Sequence, residues 1–600
     1  MTDTLIERRD LSFQLYEVLD TESLIQRERF NEHSRDTFDA VIETADRMAR
    51  DKFAPHNSAV DKDEPAFIDG AVKMRPEVKE AFDAYAAAGF IAGRYDYSLG
   101  GMQLPETVMA ACNGFFTAAN PGTAGYPFLT TAAANLIRVF GNEQQQNTFL
   151  PHMLSGRFAG TMALTEPQAG SSLADIRTSA ALADEGHYLI KGAKIYISGG
   201  EQSITENIVH MVLARIKGAP AGVRGISLFI VPKFLVNEEG NTTARNGVSL
   251  AGLIHKLGYR GTTSTALSFG DDAPCHGYLV GEPHQGLKYM FQMMNEARVG
   301  VGFGAAVIGY RGYMHSLAYA RDRQQGRRPS EKSPEAPQIP IIEHADVRRM
   351  LLAQKAYSEG GLALCLYGAR LMDDQHTHPD EQKRLEAGKL LDLLTPIIKA
   401  WPSEHGPKAN DLAIQVYGGA GYTREYPVEQ CWRDNRLNPI HEGTNGIQAL
   451  DLLGRKIWQD QSHGLQLLMQ HMQVDLEAAT TDRCQQWALS LSETLQQAVK
   501  VTQSLGKSLM SESPDKVLAN ASCYLHLFGH VVVSWMWLRQ ANAAAQSLAS
   551  ANSDSERNFY QGKLQAAQYF FHWELPTVAQ DLVLLRNMDD TCLNMKAEWF

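Results

Sequence analysis

The sequence predicts a mainly α-helical protein with a small β-domain in its middle. Apolar residues recur at helical intervals over residues 11–139 and again over residues 286–585. Between these stretches, residues 158–269 form short segments rich in β-branched and aromatic residues, separated by turn residues. A chain of 600 residues is too long for a single hydrophobic core, so several packed domains are expected.

Five segments follow from this change of pattern. They are an N-terminal extension (1–36), an N-terminal helical domain (37–157), a middle β-domain (158–283), a helical bundle (284–456) and an additional C-terminal helical domain (457–600). The last segment has an ordinary size for one further domain. No role is predicted for residues 1–29.

The N-terminal half contains helices and then strands. Helices are predicted over residues 30–53, 78–90, 107–116 and 130–140. The small side chains of residues 117–125 suit a wall beside a ligand or close helix packing, of which packing is preferred. Strands are predicted over residues 160–164, 179–183, 187–190, 194–198, 207–214, 225–232 and 264–269. Turns are predicted at residues 184–186 and at Lys191 and Gly192.

The C-terminal half is predicted to be helical throughout. Long helices are expected over residues 298–323, 347–371 and 381–400, a shorter one over 409–416, and a proline-rich loop over 324–340. Gly300, Gly302 and Gly304 weaken the first of these helices and indicate that another element packs closely there. The C-terminal domain is expected to contain helices over 465–479, 484–504, 518–549 and 557–585.

Composition excludes several classes of function. The net charge of −12 and the pI near 5.9 argue against nucleic acid as the main partner. Apolar runs such as residues 531–537 are far shorter than the ~20 residues of a membrane-spanning helix, so no membrane insertion is expected. The opening residues carry acids from Asp3 onward and no long apolar core, which predicts a cytoplasmic protein.

A metal site is weighed at Cys523, His526 and His530, which share one face of a predicted helix. Three such residues offer ligand atoms, but a closed site needs a fourth ligand that the sequence does not indicate. Histidines on an apolar helix are more often hydrogen-bonded packing residues. No metal is therefore predicted.

Two motifs in the β-domain suit a polar ligand. Residues 163–172 read ALTEPQAGSS, a strand entering a turn whose backbone N–H groups and hydroxyls suit an anion or a heteroaromatic ring. Taken alone, this motif is equally compatible with an ordinary hairpin turn. Residues 194–198 read KIYIS, a strand that carries an aromatic ring and a hydroxyl.

Residues 415–448 form the most informative stretch, QVYGGAGYTREYPVEQCWRDNRLNPIHEGTNGIQ. It contains two glycine-rich breaks, where backbone can approach a ligand closely. Glu442 stands just before an apolar helix over residues 447–453. A glutamate at such a position is also explained by the helix dipole alone.

In order and spacing, these motifs resemble the acyl-CoA dehydrogenases, over about residues 30–456. The resemblance implies that family's fold, a helical domain, a small β-barrel domain and a helical bundle, here followed by an extra C-terminal helical domain. It implies FAD as the cofactor and Glu442 as the base that removes the α-proton of an acyl-CoA substrate, giving a trans-2-enoyl-CoA.

The resemblance also implies further site residues. Those near FAD are Leu164, Thr165, Ser171, Tyr196, Ser198, Arg323, Gln415, Gly418, Gly419, Thr444 and Asn445, and those near the substrate are Ser171, Arg298, Glu442 and Gly443. Tyr196 and Ser198 stand where the family commonly has Trp and Thr, and Met162 where an aromatic residue is common. Tyr196 and Ser198 keep the same kinds of contact, a ring against the flavin and a hydroxyl near it, whereas Met162 is a second departure from the family pattern.

Partners and substrate follow from the same resemblance. Electron-transferring flavoprotein is the implied electron acceptor, and a homodimer is implied because Arg323 and Gln415 reach a neighbouring subunit's FAD in the family. The length resembles a bacterial subgroup of fatty acyl-CoA and 3-methylthiopropionyl-CoA dehydrogenases, so β-oxidation of a straight-chain substrate is expected. An acyl-CoA oxidase shares these motifs, and a non-dehydrogenating, nucleic-acid-binding flavoprotein is a remote alternative that the acidic composition disfavours.

Overall fold

The computed structural model describes residues 4–183, 186–237 and 239–600. They form two compact units. The first unit is Asp36–Ala297, and the second joins the described residues up to Arg35 to Arg298–Phe600. Asp184 and Glu185 of a predicted turn lie outside the described residues.

Six helices of the first unit precede its large sheet. They are Arg35–Met48, Asn57–Lys62, Pro76–Ala87, Glu106–Ala119, Pro121–Phe140 and Glu143–Leu154. The helices predicted over 107–116 and 130–140 extend towards each other, so that only Asn120 separates them. Asn120 caps the second helix by accepting a bond from Thr123 N at 3.0 Å, and Pro121 occupies its first turn, so a tight corner replaces a loop.

The strands confirm the predicted β-domain. They are Ala66–Ile68, Ala71–Lys73, Phe158–Ala163, Ser179–Leu182, Tyr188–Ser198, Asn207–Ile216, Ile226–Pro232, Phe234–Val236, Thr242–Arg245, Val248–Leu253, Ser264–Phe269 and His276–Leu279. Eight of them form one sheet around an apolar core. Its pairings are antiparallel except those of Phe158–Ala163 and Ser179–Leu182 with Asn207–Ile216.

The predicted turn at Lys191 and Gly192 is wrong, since Tyr188–Ser198 is one continuous strand. Its first part pairs with Ser179–Leu182 and its second part, from Gly192, with Ser264–Phe269. A Cβ at Gly192 would lie 2.5 Å from Thr178 Oγ1. Gly192 therefore allows close packing where the strand changes partners, without reversing the chain.

The second unit is helical. Its helices are Arg8–Ser12, Ala345–Thr377, Glu381–Tyr417, Val428–Asn435, Asn445–Gly454, His463–Glu477, Asp482–Ser508, Pro514–Leu518, Ala521–Leu548, Asp554–Tyr569, Val578–Asn587 and Thr591–Asn594, together with most of Gly286–Asp322. No helix among the described residues combines the length and the apolar character that crossing a membrane requires.

The predicted break between residues 400 and 409 is wrong, because Glu381–Tyr417 is a single helix despite Pro396, Pro402 and Pro407. Proline at 402 leaves the Ile398 carbonyl without its helical donor. A Cβ at Gly302 would lie 2.0 Å from that oxygen, so two helices meet closely here. The close packing predicted from the glycines is confirmed at Gly302.

The N-terminal segment packs within the second unit. Phe13 is fully buried, and its ring lies edge-on to Phe559 at 5.4 Å and to Tyr560 at 6.2 Å between ring centres. Gln14 donates to Gln540 Oε1 at 2.7 Å. The N-terminal segment, for which no role was predicted, thus packs into the same core as the C-terminal helices.

Candidate active site

In the first unit, the structure brings the two predicted β-domain motifs together. Ile195 N donates to Thr165 O at 3.0 Å, so residues 163–172 lie beside the strand that carries Tyr196 and Ser198. Leu164, Thr165 and Ser198 are half-buried, whereas Ser171 is exposed. One exposed edge therefore offers hydroxyl groups beside an aromatic ring.

Tyr196 lies on a β-bulge. Lys194 pairs with Leu267 and Ile197 with Thr265, so two residues of one strand oppose a single residue of the other. Tyr196 has a φ of +61°, and 63% of its surface is exposed. A bulge re-aims a side chain in this way, and here it turns an aromatic ring outward.

A buried ion pair, missed by the sequence analysis, holds the turn of the first motif. Lys194 Nζ donates to Leu164 O at 2.8 Å and to Glu166 Oε1 at 2.9 Å. Glu166 also accepts bonds from Arg177 N at 2.6 Å and Thr178 N at 3.0 Å. Although burial opposes ionisation, Lys194 and these N–H groups lower the pKa of Glu166 to about 2. Burial lowers the pKa of Lys194 to about 8, so the pair stays ionised between these values.

Replacing Glu166 by glutamine is expected to destabilise the protein by about 3 kcal/mol at pH 7. The pKa of Glu166 falls from 4.5 to about 2 on folding, so its stabilisation is present above pH 4.5 and is lost as the pH falls towards 2. Thermal unfolding midpoints of wild type and Glu166→Gln should therefore converge on acidification. The exposed Glu80→Gln is the matched control, and a gap that is independent of pH would contradict this role.

In the second unit, Glu442 is not a helix cap. The cap of Asn445–Gly454 is Thr444, whose Oγ1 accepts a bond from Ile447 N at 3.2 Å. Glu442 lies two residues earlier with a φ of +55°, a conformation that is uncommon outside glycine. Gln448 Nε2 donates to the carbonyls of Glu442 and Gly443, each at 3.2 Å. The backbone is fixed, and the half-buried carboxylate is left for another role.

Two cations offset part of the effect of burial on this carboxylate. Burial raises the pKa of Glu442, and the charges of Arg298 and Lys399 oppose that rise. Arg298 is buried and pairs with Asp451 Oδ2 at 3.1 Å. Its Nε is buried with no acceptor among the described residues. Such a perturbed carboxylate is typical of a functional site.

Lys399 is a second residue that the sequence analysis missed. It lies inside the long helix Glu381–Tyr417 and is fully buried. Its Nζ donates to Asn445 Oδ1 at 3.2 Å, and burial lowers its pKa to about 7. The signal in the sequence was a single lysine inside the apolar run of residues 395–401, TPIIKAW.

The remaining predicted residues lie at another place in the second unit. The rings of Tyr319 and Tyr417 stack at 4.1 Å, which brings the end of one helix beside the other. The residues of that end that the prediction names are all exposed: Arg323, Gln415, Gly418 and Gly419. Gly418 has φ +61° and ψ −138°, a conformation essentially confined to glycine, and a Cβ there would meet nothing within 4 Å.

Four family models match the chain in order. The acyl-CoA dehydrogenase N-terminal domain matches residues 35–157, the middle domain residues 161–271 and the C-terminal domain residues 284–458. A further model, described as acetyl-CoA dehydrogenase C-terminal like, matches residues 468–596.

Relatives match over nearly the whole chain. The 3-methylmercaptopropionyl-CoA dehydrogenase of Ruegeria pomeroyi is 35% identical over 94% of both chains. The broad-specificity linear acyl-CoA dehydrogenase FadE5 of Mycobacterium tuberculosis is 32% identical over 98% of both. A solved acyl-CoA dehydrogenase from Bacillus anthracis, complexed with FAD, has a TM-score of 0.72 at 20% identity, covering 98% of this chain and 93% of its own. The chain is therefore a member of the acyl-CoA dehydrogenase family, whose enzymes are FAD-dependent oxidoreductases acting on CH–CH bonds.

Proposed function

We propose that this protein oxidises a straight-chain acyl-CoA thioester to the trans-2-enoyl-CoA in fatty acid β-oxidation, in the cytoplasm, and passes the electrons to electron-transferring flavoprotein. Glu442 is the proposed base. The observation that carries this assignment is its position: a half-buried carboxylate, two residues outside the helix that it would otherwise cap, influenced by Arg298 and Lys399.

The residues present fit FAD. The exposed Tyr196 ring suits the face of a flavin, and the hydroxyls of Thr165 and Ser198 suit its polar edge. Gly418 and Gly419 leave open space above the backbone, as a pyrophosphate requires. We propose the following FAD contacts: Leu164, Thr165, Ser171, Tyr196, Ser198, Arg323, Gln415, Gly418, Gly419, Thr444 and Asn445.

FAD, when bound, supplies the acceptor for the β-hydrogen as a hydride. The task of the chain is to remove the α-proton, and Glu442 would accept that proton on a carboxylate oxygen. Burial makes the carboxylate more basic, while the charges of Arg298 and Lys399 oppose part of that rise in pKa. Ser171, Arg298 and Gly443 are the other proposed substrate contacts.

Replacing Lys399 by methionine is expected to move the acid limb of the kcat/KM profile to higher pH. Below its pKa of about 7, Lys399 carries a charge that lowers the pKa of Glu442, so its loss leaves less ionised base at low pH. Activity should fall most below pH 7 and little above it. Lys389→Met, which removes a more exposed lysine of the same helix, is the control, and an unmoved acid limb would exclude this role.

The substrate is tested with a panel of acyl-CoA thioesters. The matched relative named for linear acyl-CoA supports a straight chain, and the one named for 3-methylmercaptopropionyl-CoA makes that thioester the second candidate. We expect anaerobic reduction of electron-transferring flavoprotein to be fastest with butyryl- or octanoyl-CoA. A faster reaction with 3-methylthiopropionyl-CoA would favour the second candidate. Faster turnover with oxygen as the only acceptor would indicate an oxidase. If no thioester reduced the flavin, the proposal would be refuted.

We further propose a homodimer in which Arg323 and Gln415 of one chain hold the FAD of the other. Both side chains are exposed and therefore free to reach a neighbouring subunit, where the Arg323 guanidinium would bind the FAD pyrophosphate. Arg323→Met should weaken FAD binding about 10- to 100-fold, measured by reconstitution of the apoprotein, whereas the neighbouring Arg321→Met should not. A monomer in light scattering that retains FAD, or an Arg323→Met variant with unchanged affinity, would contradict the arrangement.

A further inference from the structure

Three histidines converge in the second unit, away from the residues assigned to catalysis. His405 lies on the helix Glu381–Tyr417, and His526 and His530 lie on Ala521–Leu548. One ring nitrogen of each lies within 4.8 Å of the other two. His405 and His530 are buried and His526 is half-buried. The set replaces the one weighed from sequence, since His405 stands in place of Cys523.

Hydrogen bonds fix which nitrogen each ring presents. Nδ1 of His405 contacts Trp401 O at 3.0 Å, and Nδ1 of His530 contacts His526 O at 3.0 Å. Nδ1 of His526 contacts Asp581 Oδ2 at 2.6 Å. Because all three partners are acceptors, Nδ1 carries a proton in each ring, and Nε2 is the nitrogen left to bind a ligand. Bonding of the other nitrogen to a carbonyl or carboxylate is the usual arrangement of metal-binding histidines.

The surroundings of the three rings suit a metal cation. His405 and His530 are buried, and a carbonyl engages one nitrogen of each ring, which leaves the other nitrogen for a ligand. Asp581 supplies negative charge at His526, whereas burial raises the pKa of the neighbouring Glu574. A nearby cation is Lys408, whose ammonium pairs with Glu404 at 2.9 Å. Three imidazoles select a borderline transition metal rather than Ca²⁺ or Mg²⁺, which require oxygen ligands.

We propose that Nε2 of His405, His526 and His530 binds one Zn²⁺ ion, with water as the fourth ligand. Zinc–nitrogen bonds of about 2.0 Å place tetrahedral ligands roughly 3.3 Å apart, so small side-chain rotations close the site. The ion would link the helix that carries Lys399 to the C-terminal helices. Lys399 is six residues from His405, about 9 Å along the helix, so the site would steady this helix without touching substrate.

The test is zinc retention by the FAD-loaded enzyme. After chelation and re-equilibration with Zn²⁺, wild type should keep about one ion per chain through gel filtration, and its X-ray absorption edge should report imidazole ligands near 2.0 Å. Zinc should raise the thermal midpoint by about 3–5 °C. His405→Gln and His526→Gln should each lose most of the zinc and of the shift, whereas the exposed His572→Gln should match wild type.

Two results would overturn the proposal. Wild type that retains no zinc and shows no shift has no such site, and equal retention by His526→Gln and wild type places the ion elsewhere. His526 is only half-buried, so His526→Gln is the variant best placed to fold. The X-ray absorption spectrum of wild type tests the ligands even if both variants fail to fold.

Discussion

Replacing Glu442 by glutamine is expected to slow flavin reduction by acyl-CoA by about 10²- to 10⁴-fold, the range typical of losing a general base. Glutamine has nearly the same shape but cannot accept the α-proton. The backbone at position 442 is held by Gln448 and the neighbouring cap by Thr444, so the fold and FAD binding should persist. Anaerobic stopped-flow absorbance at the flavin maximum measures the rate directly.

Two controls frame this result. Glu425→Gln, an exposed change in the same stretch, should react at the wild-type rate. The FAD content of Glu442→Gln should equal that of wild type, since a variant that has lost FAD reports nothing about proton removal. Flavin reduction by Glu442→Gln within threefold of wild type would show that another group removes the proton.

Replacing Lys563 by methionine should produce the largest loss of stability, about 3–5 kcal/mol. Lys563 is buried between Asp10 and Glu359, with Nζ 2.7 Å from Glu359 Oε2 and also bonded to Asp10. Removing one cation leaves two buried carboxylates with too little compensation. Urea unfolding followed by fluorescence measures the loss, and protease sensitivity near residue 10 should rise with it.

The surface lysine Lys516 provides the control. It pairs with Glu512 at 3.3 Å, and Lys516→Met should cost less than about 1 kcal/mol. Burial and Glu359 already raise the pKa of Asp10 in wild type. In Lys563→Met the deficit should therefore shrink as the pH falls and Asp10 takes up a proton. Equal losses in the two variants would mean that the buried network adds nothing.

Periodicity predicted the order of helical and strand regions but not where some elements end. Residues 401–408, which include Pro402 and Pro407, and the Lys191–Gly192 pair were predicted as breaks because propensity is local. In the structure, the long helix tolerates its prolines, with Gly302 packed close against a freed carbonyl, and Gly192 allows close packing against Thr178. Both outcomes depend on neighbours that are distant in sequence.

The order of the motifs predicted the residues of the proposed site, but it did not predict the charged groups around them. Lys399, Glu166 and Lys194 became candidates only when the structure showed them buried beside Glu442 or the first motif. Charged residues are usually solvated, so Lys399 was not selected despite its place in an apolar run, and no spacing rule linked Glu166 to Lys194. Similarly, His405 is 121 residues from His526 and no spacing rule connects them.

Exchange of the α-proton tests the central claim, that Glu442 is the base, most directly. Octanoyl-CoA incubated anaerobically with the enzyme in D₂O should acquire deuterium at C2 in wild type and in Glu425→Gln. Glu442→Gln should leave C2 unlabelled while still binding FAD and thioester. Deuterium at C2 at the wild-type rate in Glu442→Gln would show that the proton is removed elsewhere, and the account of this site would be wrong.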